Sequence, residues 1–279
     1  MTVSVLVLTL NEEANIAACL QSVAWSDDVV VLDSGSADRT TELAAAAGAR
    51  VVVRPFDDYA GQRNFGLREI AYRHPWVLML DADECVSADL GAEIAAAVAT
   101  APAAVCLYRM RRKDFLFGTW IRGSGGYPTW FSRLARVGRV WVERPVNEEY
   151  CTDGAVGRLE GHLQHYPFNK GFAAWIDKHN RYSSMEAALL EAGAEARAGR
   201  ARLGRVFSTD PVERRRALKR ILYALPLRPL MVFLGVYLLR LGILEGRAGF
   251  TFAVLRSWYE FAIDCKRREA RRRRCGEPV

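Results

Sequence analysis

Apolar residues in this chain gather into short blocks separated by stretches of a different period. Val3-Ser4-Val5-Leu6-Val7-Leu8-Thr9, Asp28-Val29-Val30-Val31-Leu32-Asp33, Arg50-Val51-Val52-Val53 and Trp76-Val77-Leu78-Met79-Leu80 are compact and rich in β-branched and aliphatic side chains. Runs of that length, bounded by turn-forming residues, predict strands buried on both faces. Helical spacing fills the gaps. Ile16, Leu20 and Val23 share one face, Arg39 to Ala47 is built of good helix formers and stops at Gly48, and Tyr59 to Ile70 and Ala88 to Ala99 predict two further helices. Strands alternating with short helices predict right-handed βαβ units and a mostly parallel sheet.

The pattern changes after Ala99. Ala104 to Met110 alternates enough for a strand, whereas Lys113 to Trp141 is aromatic, basic and glycine-rich, with Gly123, Gly125 and Gly126 close together, and suits a binding loop. Ala173 to Gly199 is rich in Ala and Glu and predicts a helix. A basic, broken segment follows from Arg200 to Arg220, and Leu230 to Arg274 predicts two apolar helices ending in the dense basic run Lys266–Arg274. No internal repeat is visible. The expected organisation is an α/β domain over 1–199, with halves 1–100 and 101–199, and a helical extension over 200–279.

Chemistry concentrates where the predicted strands end. Thr9-Leu10-Asn11-Glu12, Asp33-Ser34-Gly35-Ser36 and Asp81-Ala82-Asp83-Glu84 each follow a buried run. In a parallel sheet all three clusters face one crevice, off the carboxyl ends of the strands. Any one of them reads equally well as a helix cap or a turn. Three in succession are hard to attribute to capping. Two aspartates with one small residue between them can share a divalent cation through their oxygens.

Composition adds constraints. The 51% hydrophobic and 25% charged residues support a sizeable core. The net charge of +7 is unevenly spread: Arg200 to Val279 holds 19 Lys+Arg against 7 Asp+Glu, and the remainder holds 20 against 25. A basic tail points to an anionic partner. No nucleic-acid recognition module is visible, so an anionic membrane surface is expected and no nucleic acid. The six cysteines show no metal-ligand spacing and read as reduced thiols of a cytosolic protein. No signal peptide is expected at Met1-Thr2-Val3-Ser4. Leu230 to Leu239 is short of the roughly 20 residues that span a bilayer. The longer stretch Ile221 to Leu244 is interrupted by Pro226, Arg228, Pro229 and Arg240. The expected location is therefore cytoplasmic and peripheral on the inner membrane, with apolar stripes through Met231, Phe233, Leu234, Tyr237 and through Phe250, Val254, Trp258 at the interface. His162 and His165 have too few companions for a zinc site. His165 is expected to orient a site loop or contact phosphate. Trp120, Trp130 and Phe131, interleaved with Arg122 and Arg133, suit an acceptor platform as well as core packing.

Thr-x-Asn-Glu after the first strand, Val-x-Asp-Ser-Gly-Ser-x-Asp around the second and the later Asp-Ala-Asp-Glu together resemble family 2 glycosyltransferases. Gln62-Arg63-Asn64-Phe65-Gly66 matches that family's intervening segment. Val146-Asn147-Glu148-Glu149, His165-Tyr166 and Gly242 to Phe250 are similar, more loosely, to a bacterial subgroup that adds sugars to the inner core of lipopolysaccharide or related lipid-linked acceptors. The resemblance implies a GT-A (Rossmann-like) fold and an inverting transferase. Its donor would be a nucleotide sugar, with UDP-glucose or a similar UDP-hexose as first guess, and its acceptor a glycolipid or lipopolysaccharide core. Polyprenyl phosphate or another cell-envelope glycan is the alternative acceptor class. It also implies roles. Asp83 would hold Mg²⁺ or Mn²⁺, Asp81 would lie near the ribose or sugar, and Asp33 would receive hydrogen bonds from the base. Thr9, Asn11, Glu12 and Ser34 would border the nucleoside, Arg63 would approach the diphosphate, and Glu148, with Glu149 as alternative, would take the acceptor proton. Asn147 stands where the subgroup carries histidine. A nucleotidyltransferase is disfavoured because Thr9-Leu10-Asn11-Glu12-Glu13 lacks a basic triphosphate loop. A noncatalytic membrane-bound scaffold of the same fold is the non-enzyme alternative.

Overall fold

The computed structural model describes residues 2–143, 149–191 and 227–279. Glu148, the end of the helix expected over Ala173–Gly199 and the Arg200–Arg220 segment lie outside the described residues. The chain forms two compact units, one of residues 1–120 and 126–170, the other of 121–125 and 171–279.

The first unit begins β1 (Ser4–Thr9), α1 (Ile16–Ser22), β2 (Val29–Asp33), α2 (Thr40–Ala46), β3 (Arg50–Val53), α3 (Tyr59–Arg68) and β4 (Trp76–Asp81). The strands stand in the order β3-β2-β1-β4, all parallel. Alternation along each strand feeds two cores, one per face. Val5, Val7, Val31, Leu78 and Leu80 enter one, and Leu6, Val30, Leu32, Val77 and Met79 the other. From Val77 to Leu80, β4 is completely buried, each side chain contributing about 1.5–3 kcal/mol. Gly48 closes α2 with φ +82, and its amide reaches the Ala45 carbonyl. That left-handed geometry is cheap only for glycine.

The second half of the unit adds β5 (Glu84–Val86), α4 (Ala88–Thr100), β6 (Val105–Leu116), β7 (Thr119–Trp120), β8 (Thr129–Arg136), β9 (Val140–Glu143), β10 (Glu149–Thr152) and β11 (Ala155–His165). The sheet continues from β4 through β8, β6 and β11 to β5, with β8 antiparallel to both β4 and β6. Residues 113–141 are therefore mostly strand where a loop was expected. Arginine and aromatic side chains there stack along strand faces: Arg112 lies 4.0 Å from the Phe131 ring and Arg111 5.7 Å from Trp130. Such ladders hide the apolar alternation by which a strand is read.

The second unit holds α5 (Phe172–Glu191), α6 (Arg228–Leu234), a wide π turn (Gly235–Leu239), a 3₁₀ turn (Gly242–Glu245) and α7 (Gly246–Arg274). α5 packs on α7: Trp175 lies 6.4 Å from Trp258, and Lys266 Nζ donates to the Asn180 carbonyl at 2.5 Å and to Ser184 Oγ at 2.7 Å. Arg267, Arg271 and Arg274 converge on Glu191. These contacts group α5 with the C-terminal helices, so the boundary between units falls after Lys170 rather than at the expected 199. The short segment 121–125 belongs to this unit as well. Its Gly123 amide donates to the Glu245 carboxylate at 2.5 Å.

Candidate active site

Polar groups at the ends of β1 and β2 are stitched to one another. The Thr9 hydroxyl and the Ser36 hydroxyl both donate to Asp33 Oδ1, at 2.7 and 2.5 Å. The amides of Gly35 and Ser36 donate to Asp33 Oδ2 at 2.9 and 2.7 Å. Four donors occupy the four acceptor sites of one carboxylate, and Asp33 is 1% exposed. The aspartate thus shapes the turn after β2, and a nucleobase would reach it by replacing the Thr9 or the Ser36 hydroxyl. Asn11, at φ 53, spans the two loops by accepting the Ala37 amide at 2.8 Å. The Glu12 carboxylate takes Lys170 Nζ and Asn15 Nδ2, each at 2.8 Å. Burial lifts its pKa against the pull of that lysine. Ser34 accepts from Gln62 Nε2 at 3.1 Å.

Acids and bases alternate in a connected network at the end of β4. Asp81 is clamped between Arg63 Nη2 at 2.8 Å and Arg133 Nη2 at 2.7 Å. Arg133 also grips the fully buried Glu84 through two nitrogens, Nε at 2.9 Å and Nη2 at 2.8 Å. Arg112 joins Glu84 at 3.3 Å to Asp114 at 2.9 Å, and Asp114 accepts from His165 Nδ1 at 2.6 Å. His165 Nε2 then lies 3.3 Å from Asp83 Oδ2. Strand register explains this assembly: His165 stands opposite Asp114 on β6 and opposite Glu84 on β5. Burial alone would lower the His165 pKa, but the charge of Asp83 and the Asp114 hydrogen bond raise it to about 9. Burial resists the Asp114 charge in turn, yet His165 and Arg112 hold that carboxyl below its ordinary value.

Asp83 and His165 therefore point at one spot. Among the described residues no group of three or more His, Cys, Asp or Glu side chains is placed to hold a metal. Once a cation displaces the Nε2 proton that the raised His165 pKa otherwise retains, the Asp83 carboxylate and an imidazole whose other nitrogen is fixed by Asp114 would form a donor set that fits a divalent cation. Mg²⁺ in particular is held through one or two carboxylates, here Asp83, and completes its shell with phosphate oxygens and water.

The structure thus gathers Thr9, Asn11, Glu12, Asp33 and Ser34 at the ends of β1 and β2, and Asp81, Asp83 and Arg63 beside β4. Arg63 is 5% exposed and turned onto Asp81, so its charge acts on that carboxylate. Glu148 is outside the described residues. Its near neighbour Tyr150 brings the chain to the cluster: the Tyr150 hydroxyl accepts from Arg133 Nη1 at 3.4 Å, and Arg63 lies 5.9 Å from the ring. Sequence reasoning missed Arg112, Asp114 and the central place of Arg133, and did not pair His165 with Asp83. The Arg112–Asp114 spacing of two, which puts both on one strand face, was the available signal. A shallow depression lined by Asp27, Arg50 and Arg73 lies near the amino ends of β2 and β3, opposite the carboxylates.

Parallel strands in the order 3-2-1-4 with acids at their carboxyl ends define a nucleotide-binding α/β fold of the GT-A type. A family model described as Glycosyl transferase family 2 matches residues 4–161. The chain belongs to glycosyl transferase family 2 and is a transferase. Among curated relatives, an uncharacterized glycosyltransferase of Rickettsia typhi is 30% identical over 197 residues, covering 66% of this chain and 66% of that protein, just under two thirds of its length. The lipopolysaccharide core biosynthesis glycosyltransferase LpsC of Rhizobium meliloti is 30% identical over 196 residues, 67% of this chain and 71% of LpsC. A crystal structure of glucosyl-3-phosphoglycerate synthase from Mycobacterium tuberculosis with Mg²⁺ and UDP covers 59% of this chain and 71% of its own, at 20% identity and a TM-score of 0.42. A likeness that slight leaves donor and metal to this chain's own residues.

Proposed function

We propose that this protein is an inverting hexosyltransferase that moves a sugar, glucose first, from a UDP-sugar to a lipopolysaccharide-core or other lipid-linked acceptor with the help of Mg²⁺ or Mn²⁺. The observation that carries this is the pairing of Asp83 with His165 beside the half-buried Asp81 and the buried Arg133–Glu84 pair that Asp81 joins, at the strand ends where a nucleotide would lie. Asp83 and His165 would hold the cation, and Asp114 would fix the imidazole. When bound, the cation supplies charge neutralisation for a departing nucleoside diphosphate. The chain's own residues do the remainder. Thr9, Asn11, Glu12, Asp33 and Ser34 shape the wall against which the nucleoside rests. Asp81, its position set by two arginines, presents its remaining acceptor capacity to the ribose or sugar hydroxyls.

Displacement at the anomeric carbon also needs a base to receive the acceptor hydroxyl proton, on the face opposite the leaving group. Glu148 is the proposed base, with Glu149 as alternative. Support comes from Tyr150, two residues further along the sequence, whose hydroxyl accepts from Arg133 and whose ring lies 5.9 Å from Arg63. The similarity to LpsC supports the acceptor class.

Calorimetric titration of the protein with UDP and Mn²⁺, followed by turnover of a UDP-sugar, tests the assignment. Asp83→Ala is expected to lose metal-dependent UDP binding and turnover, and normal turnover in that variant would overturn the metal assignment. A protein that binds neither UDP nor Mn²⁺ is the noncatalytic scaffold instead.

A further inference from the structure

Helices α6 and α7 place polar and apolar groups in reverse of a water-facing hairpin. Between them Arg228, 1% exposed, lies 3.0 Å from Glu260 Oε2 and 3.3 Å from Asp264 Oδ1. On the outside Leu227, Leu239 and Leu244 are 72%, 85% and 77% exposed. Leu230, Met231, Leu234 and Leu238 recur at helical spacing along α6 and its π turn, and all are exposed. Phe250, Val254 and Phe261 form a second exposed stripe along α7. An ion pair within and leucines without is the arrangement that an apolar surrounding favours, and so large an exposed apolar surface marks an interaction site.

Charge identifies the occupant. Arg240 and Arg247, both exposed, flank the apolar elbow. At the far end of α7, Lys266 to Val279 carries seven Lys+Arg against two Asp+Glu. Several of these arginines pair with Glu191, Glu269 or Glu277, but seven cations against these three acids leave a net positive field in place. The 29 residues of α7 make a rod about 43 Å long. Its two cationic ends meet one flat anionic surface only if the axis lies in the plane of that surface. Among the described residues no single helix is long and apolar enough to cross a membrane. Arg228–Leu239 and Gly242–Arg274 reach that length and apolarity only together, and a 71° bend between them breaks the straight path of a span.

We propose that α6 and α7 form an in-plane membrane-binding element: the leucine elbow and the Phe250–Phe261 stripe enter the interface of a bilayer whose anionic headgroups meet the flanking arginines. This does not depend on the donor or metal of the catalytic site.

The test is co-sedimentation of the full chain with vesicles of phosphatidylglycerol and phosphatidylethanolamine, and with vesicles of phosphatidylcholine alone. Binding is expected to the anionic vesicles and to weaken as salt rises. Leu239→Ser/Leu244→Ser is expected to lower partitioning by about tenfold or more, with helix content and UDP binding unchanged because both side chains are exposed. Leu239→Ser alone serves as a milder second variant. Binding to neither vesicle, or undiminished binding by the double variant, overturns the proposal. Equal binding to phosphatidylcholine overturns its anionic part. A dimer that the double variant dissociates, without vesicle binding, assigns the face to a second copy instead.

Discussion

Arg133 shows how a site of this kind is held in place. Its guanidinium is fully enclosed and simultaneously meets Glu84, completely buried, and Asp81. Burial opposes the arginine's charge, but the two carboxylates more than offset it and push its pKa well above the ordinary value. Removing one partner of a buried pair costs about 3–5 kcal/mol because the other charge stays behind. Arg112 also touches Glu84, at 3.3 Å, which places Arg133→Met near the lower end. We expect a loss of about 3 kcal/mol in urea unfolding. Arg133→Lys recovers only part, since an ammonium cannot make the two-pronged contact. An Arg133→Met variant as stable as its parent would show that Glu84 is neutral or compensated elsewhere. Also at this scale, Glu148→Gln is expected to retain UDP binding while losing transfer. An active variant would move the base to Glu149.

At the scale of elements, α3 explains a motif that the sequence presents only as a string. Gln62 reaches Ser34 after β2, Arg63 reaches Asp81 after β4, and Asn64 pairs with both backbone groups of Val142 on β9 at 2.8 Å. Gly66 lets the helix press on β1, because a Cβ there would overlap the Leu6 side chain. Two effects oppose one another in Gly66→Ala. Replacing a mid-helix glycine gains about 0.5–1 kcal/mol, whereas overpacking a tight core costs about 1–3 kcal/mol. Leu6 is itself fully buried and has little room to yield. A net loss of about 1 kcal/mol is therefore expected for Gly66→Ala in thermal unfolding, with a larger one for Gly66→Val. Stabilisation by Gly66→Ala would show that Leu6 moves aside cheaply.

At the scale of the whole molecule, stability depends on pH through a half-buried histidine. In the second unit His179 stacks on Trp175 with centroids 3.6 Å apart and donates Nδ1–H to the Trp175 carbonyl at 2.9 Å. Burial, aided by Lys178 and Arg256, lowers its pKa from 6.5 to about 4, against the pull of that hydrogen bond. The unfolded chain takes up this proton near pH 6.5 and the folded chain only near 4, so stability falls with acidification between those values and levels off below them. Thermal unfolding scans from neutral pH down to about pH 4 should show a shallower decline in His179→Gln than in the parent. Equal slopes would assign the acid response to other groups.

What the sequence determined by itself was the part governed by local pattern. Continuous apolar runs identified β1 to β4, and the polar residues ending those runs marked Thr9, Asp33, Asp81 and Asp83, because chain direction in a parallel sheet puts every strand end on one side. The family was legible for the same reason. Tertiary structure decided what depends on register between distant strands: that His165 faces Asp83 and Asp114, that Arg133 joins Asp81 to Glu84, and that Arg63 turns inward. Taken in order, the charged residues from Lys113 onward read as a binding loop, and Arg133 as part of an acceptor platform. Only pairing across the sheet reveals that their charges cancel one another inside it.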